Sequence, residues 1–226
     1  MKIAIVVPVF NEALALPRLL TQIAASKVTA NQDFELVFVD GGSVDDTVAL
    51  IKQTGLHVIT SPKGRAWQMN AGAAQTIGDV LLFLHADTQL PMNALAEIKS
   101  NLTGDICWGR FDVRIAGKPW MLAVVSRMMN WRSRLSGIAT GDQAIFMTRA
   151  AFQSIGGFPE QALMEDIEAS RRLRQLSRPA CIASPVITSG RRWETRGVWT
   201  TILLMWRLRW SYWRDQSPQQ LAELYS

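Results

Sequence analysis

Three groups of charged side chains have the types and spacing needed to bind a metal, move a proton or hold an anion. The first follows an apolar run, Val80–Leu84, where His85 and Asp87 are separated by one residue. Side chains at i and i+2 of extended backbone point the same way, so both can face one ligand. A carboxylate that shares a ligand sphere with phosphate oxygens and water suits a hard cation, Mg²⁺ or Mn²⁺. We therefore predict that Asp87 binds a divalent metal against a nucleotide diphosphate, whereas His85 is a second ligand, a phosphate hydrogen-bonder or a structural hydrogen-bonder.

The second group is the carboxylate pair Glu165-Asp166, which opens a predicted helix. Such a pair either compensates the helix dipole or supplies a general base, since apolar surroundings raise the pKa of a carboxyl group. The third group is Arg191 and Arg192, and adjacent arginines suit a diphosphate. The residues alone do not decide whether the pair Glu165-Asp166 compensates the helix dipole or supplies a general base.

Further polar residues lie where loops meet predicted helices and strands. Lys63 and Arg65 precede a helix whose free N–H groups favour phosphate, with Asn70 behind them; a solvated loop explains the two cations equally well. Asp40 ends a predicted strand and can accept hydrogen bonds from a base or a ribose, and Gly41 lets the backbone approach a ligand closely.

The loop Phe10-Asn11-Glu12 follows the first predicted strand without a G-x-G-x-x-G motif. The absence of that motif removes the main support for a dinucleotide site of the Rossmann kind.

Strands alternate with helices four times before residue 90, a pattern typical of an α/β, Rossmann-like, doubly wound and mostly parallel sheet flanked by helices. In this first part we predict strands at Lys2–Val9, Phe34–Val39, His57–Thr60 and Val80–Leu84, and helices at Ala13–Ala25, Asp45–Gln53 and Arg65–Gln75. In the second part we predict strands at Ile106–Ile115, Gln143–Met147 and Pro179–Val186, and helices at Pro91–Asn101, Trp120–Trp131, Ala150–Ile155, Met164–Leu176 and Val198–Trp213. The alternating pattern of the strand 106–115 favours a place at or near a sheet edge.

Composition favours one folded domain of 226 residues, with 48% apolar and 19% charged residues. We divide it into a nucleotide-binding half (1–90), an acceptor-side half (91–193) and a C-terminal helical tail (194–226). The net charge of +5 favours anionic partners, but lysines and arginines form no dense block, and we expect no nucleic-acid partner.

Cellular location is predicted from features that the sequence lacks. Cys107 and Cys181 have no metal-ligand spacing and suit buried thiols in a reducing compartment. No apolar run reaches the length of about 18 residues that a membrane span needs, and the first residues lack the pattern of a signal peptide. We therefore expect a cytoplasmic protein.

The segment 197–214 mixes tryptophan with arginine, the composition of a helix that lies at a membrane interface. We consider a peripheral contact on the inner face of the cytoplasmic membrane, a homodimer contact and burial in the core as alternatives.

Six stretches in this order resemble the family 2 glycosyltransferases of the GT-A fold, and in detail a small, stand-alone bacterial subgroup. The stretches are V-V-P-V-F-N-E (6–12), V-D-G-G-S-V-D-D-T (39–47), G-R-A-W-Q-M-N-A-G-A (64–73), L-F-L-H-A-D-T (82–88), G-D-Q-A-I-F (141–146) and G-G-F-P-E…M-E-D (156–166).

This resemblance implies an inverting transfer of a sugar from a nucleotide-diphosphate sugar, most readily a UDP-sugar, to an acceptor hydroxyl. The acceptor is unknown, and a lipid-linked molecule is one candidate. The resemblance implies these roles: nucleotide contacts from Pro8, Phe10, Asn11 and Glu12, a base contact from Asp40, a base or phosphate contact from Arg65, metal binding by Asp87, general-base catalysis by Asp166, and stabilisation of the leaving diphosphate by Arg191 or Arg192.

Two features depart from the family pattern. The usual D-x-D motif is His85-Ala86-Asp87 here, and the Q-x-x-R-W motif of processive synthases is missing. The first departure motivates an alternative, a nucleotide-binding or membrane-surface module with impaired catalysis. A sugar nucleotidyltransferase is a further alternative, although no glycine-rich activating loop follows the first strand.

Overall fold

A fully buried first strand forms the centre of the fold. Strand β1 (Ile3–Val9) has no exposed residue, because its two faces pack against two separate apolar clusters. Ile3, Ile5 and Val7 contribute to one cluster, while Ala4 and Val6 contribute to the other. This division follows from the alternation of side chains along a strand, and it explains the uninterrupted apolar sequence.

The structure is a computed structural model that describes residues 1–30, 34–214 and 216–225. Its strands within those residues are β1, β2 (Phe34–Asp40), β3 (Val58–Thr60), β4 (Val80–Phe83), β5 (Thr88–Gln89), β6 (Trp108–Ala116), β7 (Phe146–Thr148) and β8 (Ala180–Ser189). The helices are α1 (Leu16–Ala30), α2 (Thr47–Gln53), α3 (Arg65–Ala74), α4 (Ala94–Asn101), α5 (Met121–Ser136), α6 (Arg149–Ser154), α7 (Glu165–Leu176), α8 (Arg191–Arg196), α9 (Val198–Trp213) and α10 (Pro218–Tyr225), with a 3₁₀ turn at Gly141–Gln143.

The strands form one mixed sheet in the order β3-β2-β1-β4-β7-β6-β8-β5. The first four strands in this order are parallel, as predicted, whereas β7 and β5 run antiparallel to their neighbours. The sheet matches the predicted α/β class and brings the carboxyl ends of β1, β2 and β4 to the same edge.

The strand 106–115 was predicted at or near a sheet edge, and it lies near one end of the sheet but not at the edge itself. Strand β6 lies inside the sheet, antiparallel to β7 and parallel to β8. Its sequence alternates because Arg114 and Ala116 face solvent, while β8 pairs with one edge and side chains of α5 bond Val113 and Ile115 on the other. The alternation of polar and apolar residues in β6 therefore indicates that one face of the strand is exposed. It does not indicate that the strand lies at an edge of the sheet.

Strand β8 is longer than predicted and reaches the edge where ligands are expected. Its register against β6 shifts between Phe111 and Asp112, opposite Pro185. Proline lacks an N–H for the ladder and is tolerated in strands at such irregularities. The strand continues past Pro185 to Ser189, and Thr188 meets the short strand β5, where the hydroxyl oxygens of Thr88 and Thr188 lie 3.2 Å apart.

Candidate active site

A cavity of about 730 Å³ opens at the carboxyl ends of β1, β4 and β8. One wall comes from the loops after β1 and β4 and from the start of α3, and the opposite wall comes from α8, α9 and α10. Of the residues predicted to bind a nucleotide-sugar or metal, the lining includes Pro8, Phe10, Glu12, Lys63, Arg65, His85, Asp87, Arg191 and Arg192. The structure thus brings together groups that are up to 184 positions apart in the sequence.

The wall after β1 combines an aromatic ring, a cation and a carboxylate. The ammonium of Lys63 lies 4.1 Å from the centre of the Phe10 ring, and Glu12 forms an ion pair with Arg191 at 3.8 Å. The pKa of Glu12 is raised, first by burial and then by the negative charge of Asp87, although Arg191 opposes the shift.

The position of Asp87 suits an oxygen-ligated cation. Its carboxylate lines the cavity, and its only hydrogen bond among the described residues comes from Thr88 at 3.4 Å. Oxygen Oε2 of Glu12 is buried without a hydrogen-bond partner among the described residues, and its carboxyl feels the charge of Asp87. Two carboxylates that repel each other, one with an unsatisfied oxygen, fit a hard divalent ion, although the described residues contain no group of three candidate ligands.

His85 is held by a carboxylate that the sequence interpretation missed. Its Nδ1 lies 3.4 Å from Oδ1 of Asp142, and Gly141 packs so closely that a Cβ there would lie 2.6 Å from His85 Nε2. Burial raises the pKa of Asp142, but the hydrogen bond with His85 and the charges of His85, Arg65 and Arg192 together outweigh burial, and the net shift is downward. The ionised carboxylate of Asp142 thus lies next to position 85. In the D-x-D pattern, the residue at position 85 would itself carry the carboxylate.

The carboxylate pair at the start of α7 is divided between two environments. Met164 adopts a left-handed conformation (φ 66°), and α7 begins directly after it with a buried Glu165 that lines the cavity. Asp166 is not among the described lining residues; its Oδ2 accepts a hydrogen bond from the Gly141 N–H at 2.8 Å. Burial and then the charge of Asp166 raise the pKa of Glu165 to about 7.

The charge of Arg65 interacts with Glu165 and Tyr225, which line other parts of the cavity. Burial lowers its pKa, but the nearby Glu165 and Tyr225 raise it, and the net shift is upward. The guanidinium is therefore a permanent positive charge in the cavity lining, near enough to Asp166 to interact with its charge.

Helices α8 and α10 line the cavity, and neither was predicted as a separate helix, although α10 lies within the predicted helical tail 194–226. The Arg192 guanidinium lies 4.0 Å from the centre of the Tyr225 ring, and Arg196 donates a hydrogen bond to the Tyr225 carbonyl at 3.1 Å. Leu221 anchors α10 because its side chain is fully buried against α9 residues such as Leu208. The available sequence signal was Pro218 at the helix start with Leu221 and Tyr225 four residues apart.

Four predicted ligand contacts lie outside the described cavity lining, and hydrogen bonds within the fold occupy three of them. Asp40 accepts from the N–H groups of Gly42 and Ser43, and Asn11 bonds the loop after β2 through Ser43 and Val44. Asn70 exchanges two hydrogen bonds of 2.9 Å with the backbone of Phe158.

The fourth, Gly41, packs on a glutamine that sequence reasoning missed. A Cβ at Gly41 would lie 3.2 Å from the amide of Gln68, whose NH₂ donates to the carbonyls of Val9 and Val39 at 2.8 Å each. These buried bonds fix the ends of β1 and β2 to each other. The polar residues outside the lining therefore shape the loops that carry the lining residues.

Comparison with known proteins decides the family. The model of glycosyl transferase family 2 matches residues 4–152, which contain β1 to β7 and most of the cavity wall after β1 and β4. The chain belongs to glycosyl transferase family 2. The family predicted from the six stretches is thereby confirmed.

Curated family members with related sequences include two undecaprenyl-phosphate 4-deoxy-4-formamido-L-arabinose transferases. That of Pseudomonas savastanoi pv. phaseolicola is 30% identical over 154 residues, covering 62% of this chain and 44% of the relative. That of Sodalis glossinidius is 30% identical over 156 residues, covering 62% and 46%. The chain spans less than half the length of these relatives.

Solved structures establish the GT-A fold. S. aureus TarS 1–349 in complex with UDP-GlcNAc superposes with a TM-score of 0.65 at 19% identity, covering 84% of this chain and 58% of that one. The mannosyltransferase PcManGT from Pyrobaculum calidifontis, in complex with GDP-Man and Mn²⁺, gives 0.66 at 17% identity, covering 99% and 68%. The predicted fold class and the assignment as a glycosyltransferase are confirmed.

Proposed function

We propose that this glycosyltransferase transfers a sugar with inversion from a nucleotide-diphosphate sugar, a UDP-sugar in the first instance, to an acceptor hydroxyl. The observation that carries the proposal is the shared cavity, where the neighbouring carboxylates of Asp87 and Glu12 lie in one lining with the cations of Arg65, Arg191 and Arg192. The named ligands of TarS, UDP and UDP-GlcNAc, support the choice of donor.

In this proposal the cavity wall after β1 and β4 holds the donor. Phe10 and Pro8 contact the nucleotide, and Lys63 and Arg65 meet its phosphates. Asp87, with Glu12 beside it, would bind Mn²⁺ or Mg²⁺, which supplies charge neutralisation for the diphosphate when bound. The Mn²⁺ named with PcManGT supports this choice of metal.

The chemical step is proposed as a single displacement. Asp166 accepts the proton of the acceptor hydroxyl as the oxygen attacks the anomeric carbon, and the bond to the diphosphate breaks. Arg191 and Arg192 stabilise the charge that develops on the leaving group. Hydrogen bonds from Gly141 and Ile167 hold the Asp166 carboxylate in place, while the neighbouring Glu165 is the group with the raised pKa.

The test is release of nucleoside diphosphate from a panel of UDP- and GDP-sugars, with Mn²⁺ and with EDTA. We expect turnover of at least one donor with Mn²⁺ and strong loss in Asp87→Asn. Binding of UDP without turnover of any donor would favour the catalytically impaired module. Pyrophosphate release from a nucleoside triphosphate and a sugar phosphate would favour the nucleotidyltransferase.

We also propose that the enzyme works as a peripheral protein on the cytoplasmic face of a membrane. Helix α9 exposes a stripe of large apolar side chains at helical spacing, each at least 59% exposed: Trp199, Leu203, Trp206, Trp210 and Trp213. Helix α5 exposes a second stripe: Trp120, Val124, Met128, Trp131 and Leu135.

Exposed tryptophans beside cations such as Arg214 fit an anionic lipid surface. None of the helices that the structure describes is long and apolar enough to cross a bilayer.

Co-sedimentation with phosphatidylglycerol vesicles at low salt tests this second proposal. We expect binding that weakens in a Trp206→Ser/Trp210→Ser double variant. Absence of binding by the wild type would refute it, and a concentration-dependent dimer that the same variant abolishes would assign 197–214 to a homodimer contact instead.

A further inference from the structure

The 3₁₀ turn Gly141–Gln143 contacts both chemical ends of the cavity. The N–H of Gly141 donates a hydrogen bond of 2.8 Å to Oδ2 of Asp166, the proposed base. The same glycine packs against the His85 ring, because a Cβ at position 141 would lie 2.6 Å from Nε2. His85 in turn precedes the proposed metal ligand Asp87 by two residues. The turn therefore lies between the metal side of the cavity and the base.

Buried hydrogen bonds hold this turn in place from behind. The N–H of Thr140 donates to Oε1 of Gln143 at 3.2 Å, and the N–H of Gln143 donates to the Thr140 carbonyl at 2.8 Å. Gln143 is fully buried, and the N–H of Ala139 bonds the buried hydroxyl of Ser170 on α7 at 3.1 Å. The fold thus fixes the backbone position of the residue between Gly141 and Gln143, which is Asp142.

Asp142 presents a carboxylate oxygen to the cavity. It is part of the cavity lining, and its side chain is 47% exposed. Oδ1 lies 3.4 Å from Nδ1 of His85, whereas Oδ2 has no hydrogen-bond partner among the described residues. The pKa of Asp142 is lowered despite burial, through His85 and the charges of Arg65 and Arg192. An ionised carboxylate only accepts hydrogen bonds, so Oδ2 is available to a ligand that donates them.

The proposed reaction determines which part of the donor lies beside this oxygen. The anomeric carbon is bonded to the diphosphate, which we place at Asp87, and it is attacked by the oxygen that Asp166 deprotonates. The sugar ring must therefore occupy the space between these two carboxylates, where the turn lies. The charge of Asp142 would repel a phosphate, whereas a sugar hydroxyl donates a hydrogen bond that the ionised acceptor strengthens.

We propose that Asp142 accepts a hydrogen bond from a hydroxyl of the donor sugar and thereby selects the sugar. This inference rests on the proposed function, since it concerns the donor of the same reaction. His85 is a positioning residue that holds Oδ1, and Oδ2 meets the hydroxyl. The histidine that stands in place of the first carboxylate of the D-x-D pattern then serves the sugar rather than the metal.

Calorimetric titration without an acceptor tests the proposal, because it separates the sugar from the nucleotide. The probes are UDP and whichever of UDP-glucose, UDP-galactose and UDP-N-acetylglucosamine the wild type binds best, at one Mn²⁺ concentration. We expect Asp142→Ala to weaken binding of this UDP-hexose about ten- to hundredfold, the effect of losing a hydrogen bond to a charged group, and to change UDP binding by less than about twofold. Asp105→Ala is the matched control, because Asp105 is exposed and is not among the described lining residues.

Monodeoxy analogues of the same UDP-hexose identify the hydroxyl that Asp142 contacts. In the wild type, removal of that hydroxyl should weaken binding about tenfold or more, whereas in Asp142→Ala the same removal should have no further effect because its partner is already missing. Losses that add in full at every hydroxyl would show that Asp142 contacts none of them and would overturn the proposal.

Two further variants separate a contact with the sugar from an indirect role. Asp142→Asn keeps one acceptor oxygen and should retain part of the affinity for the UDP-hexose. His85→Gln still offers a side-chain N–H to Oδ1, so it should weaken UDP-hexose binding less than Asp142→Ala does. An equal loss in His85→Gln would mean that Asp142 acts only by holding His85. A lower Tm of Asp142→Ala with equal weakening of UDP and UDP-hexose would make Asp142 structural, and either result would overturn the proposal.

The same titrations distinguish failure of this inference from failure of the proposed function. If the wild type binds and turns over a UDP-hexose, and Asp142→Ala binds it equally well, only the role of Asp142 is refuted. If the wild type binds UDP but none of the UDP-hexoses, the proposed function fails as well. Weaker UDP binding by Asp142→Ala in Mn²⁺ but not in EDTA would assign Asp142 to the metal and would also overturn the proposal.

Discussion

Two regions of the molecule satisfy their polar side chains to different degrees: the cavity wall built on β1, β2 and α3, and the helices α5 and α9. On the side of β1, β2 and α3, the amides and carboxylates behind the wall, such as Gln68, Asn70 and Asp40, are joined to backbone groups by short hydrogen bonds. On α5 and α9, Arg132 has two side-chain nitrogens without a hydrogen-bond partner among the described residues, and tryptophans face solvent. The fold itself therefore holds the polar groups of the first region in place, whereas the second region keeps unsatisfied nitrogens and exposed apolar side chains.

The largest effect on activity should come from a substitution in the carboxylate pair Glu165-Asp166 at the start of α7. Asp166→Asn should lower kcat by about 10²- to 10⁴-fold, the usual contribution of a general base, with UDP affinity unchanged. Initial rates on the best donor measure this. Glu165→Gln is the neighbouring control; if it abolishes activity while Asp166→Asn does not, the base is Glu165.

The raised pKa of Glu165 predicts an unusual pH dependence of stability. An acid whose pKa rises on folding binds its proton more tightly in the native state, so stability is retained at low pH and falls as pH rises through the interval between its ordinary value and about 7. Glu165→Gln should remove this loss, worth about 1 to 3 kcal/mol at pH 8. Denaturant unfolding at pH 5 and pH 8 measures it, and an equal loss in wild type and variant would contradict it.

A hydrogen-bonded residue on the donor side should matter for stability rather than for chemistry. Asn70→Ala removes two hydrogen bonds to the Phe158 backbone and should cost about 1 to 3 kcal/mol of unfolding free energy. Gln75→Ala, at the exposed end of the same helix, is the control. A tenfold change in UDP affinity without a change in stability would instead restore Asn70 as a ligand contact.

The smallest effect is expected at the ring that covers Arg192. Tyr225→Ala should weaken binding of UDP about three- to tenfold by removing the cation–π contact, whereas Tyr225→Phe keeps the ring and should match the wild type. Calorimetric titration with UDP measures both. Equal weakening in both variants would show that the hydroxyl, and not the ring, contributes.

The sequence predicted the fold and the site best where a local pattern of apolar residues also determines which residues are buried in the sheet. The apolar runs of β1 and β4 predicted buried parallel strands, and the residues at their ends, Phe10, Glu12, His85 and Asp87, do line the cavity. Asp40, at the end of a predicted strand, and Asn70, behind the cations Lys63 and Arg65, were also predicted as ligand contacts, and both lie within the family stretches. A polar residue at a strand end can equally satisfy the backbone of its own loop, and the sequence does not distinguish the two uses.

Contacts distant in sequence account for most of what was missed. Asp142 meets His85 across 57 positions, and Tyr225 meets Arg192 from a helix with few apolar residues. Neither pairing has a local pattern, since each depends on how the sheet closes. The division into a half at 1–90, a half at 91–193 and a tail at 194–226 stays a prediction, although β4 and β7 join the first two segments in one sheet.

The amide of Gln68 has a consequence for changing donor preference. One NH₂ group bonds the last residue of β1 and the residue before Asp40 in β2, and Asn11 ties the following loops to each other. The two loops therefore form one hydrogen-bonded module. Grafting a single loop from a relative with a different nucleotide would break that module, so an exchange of specificity should transplant both loops together with the glutamine between them.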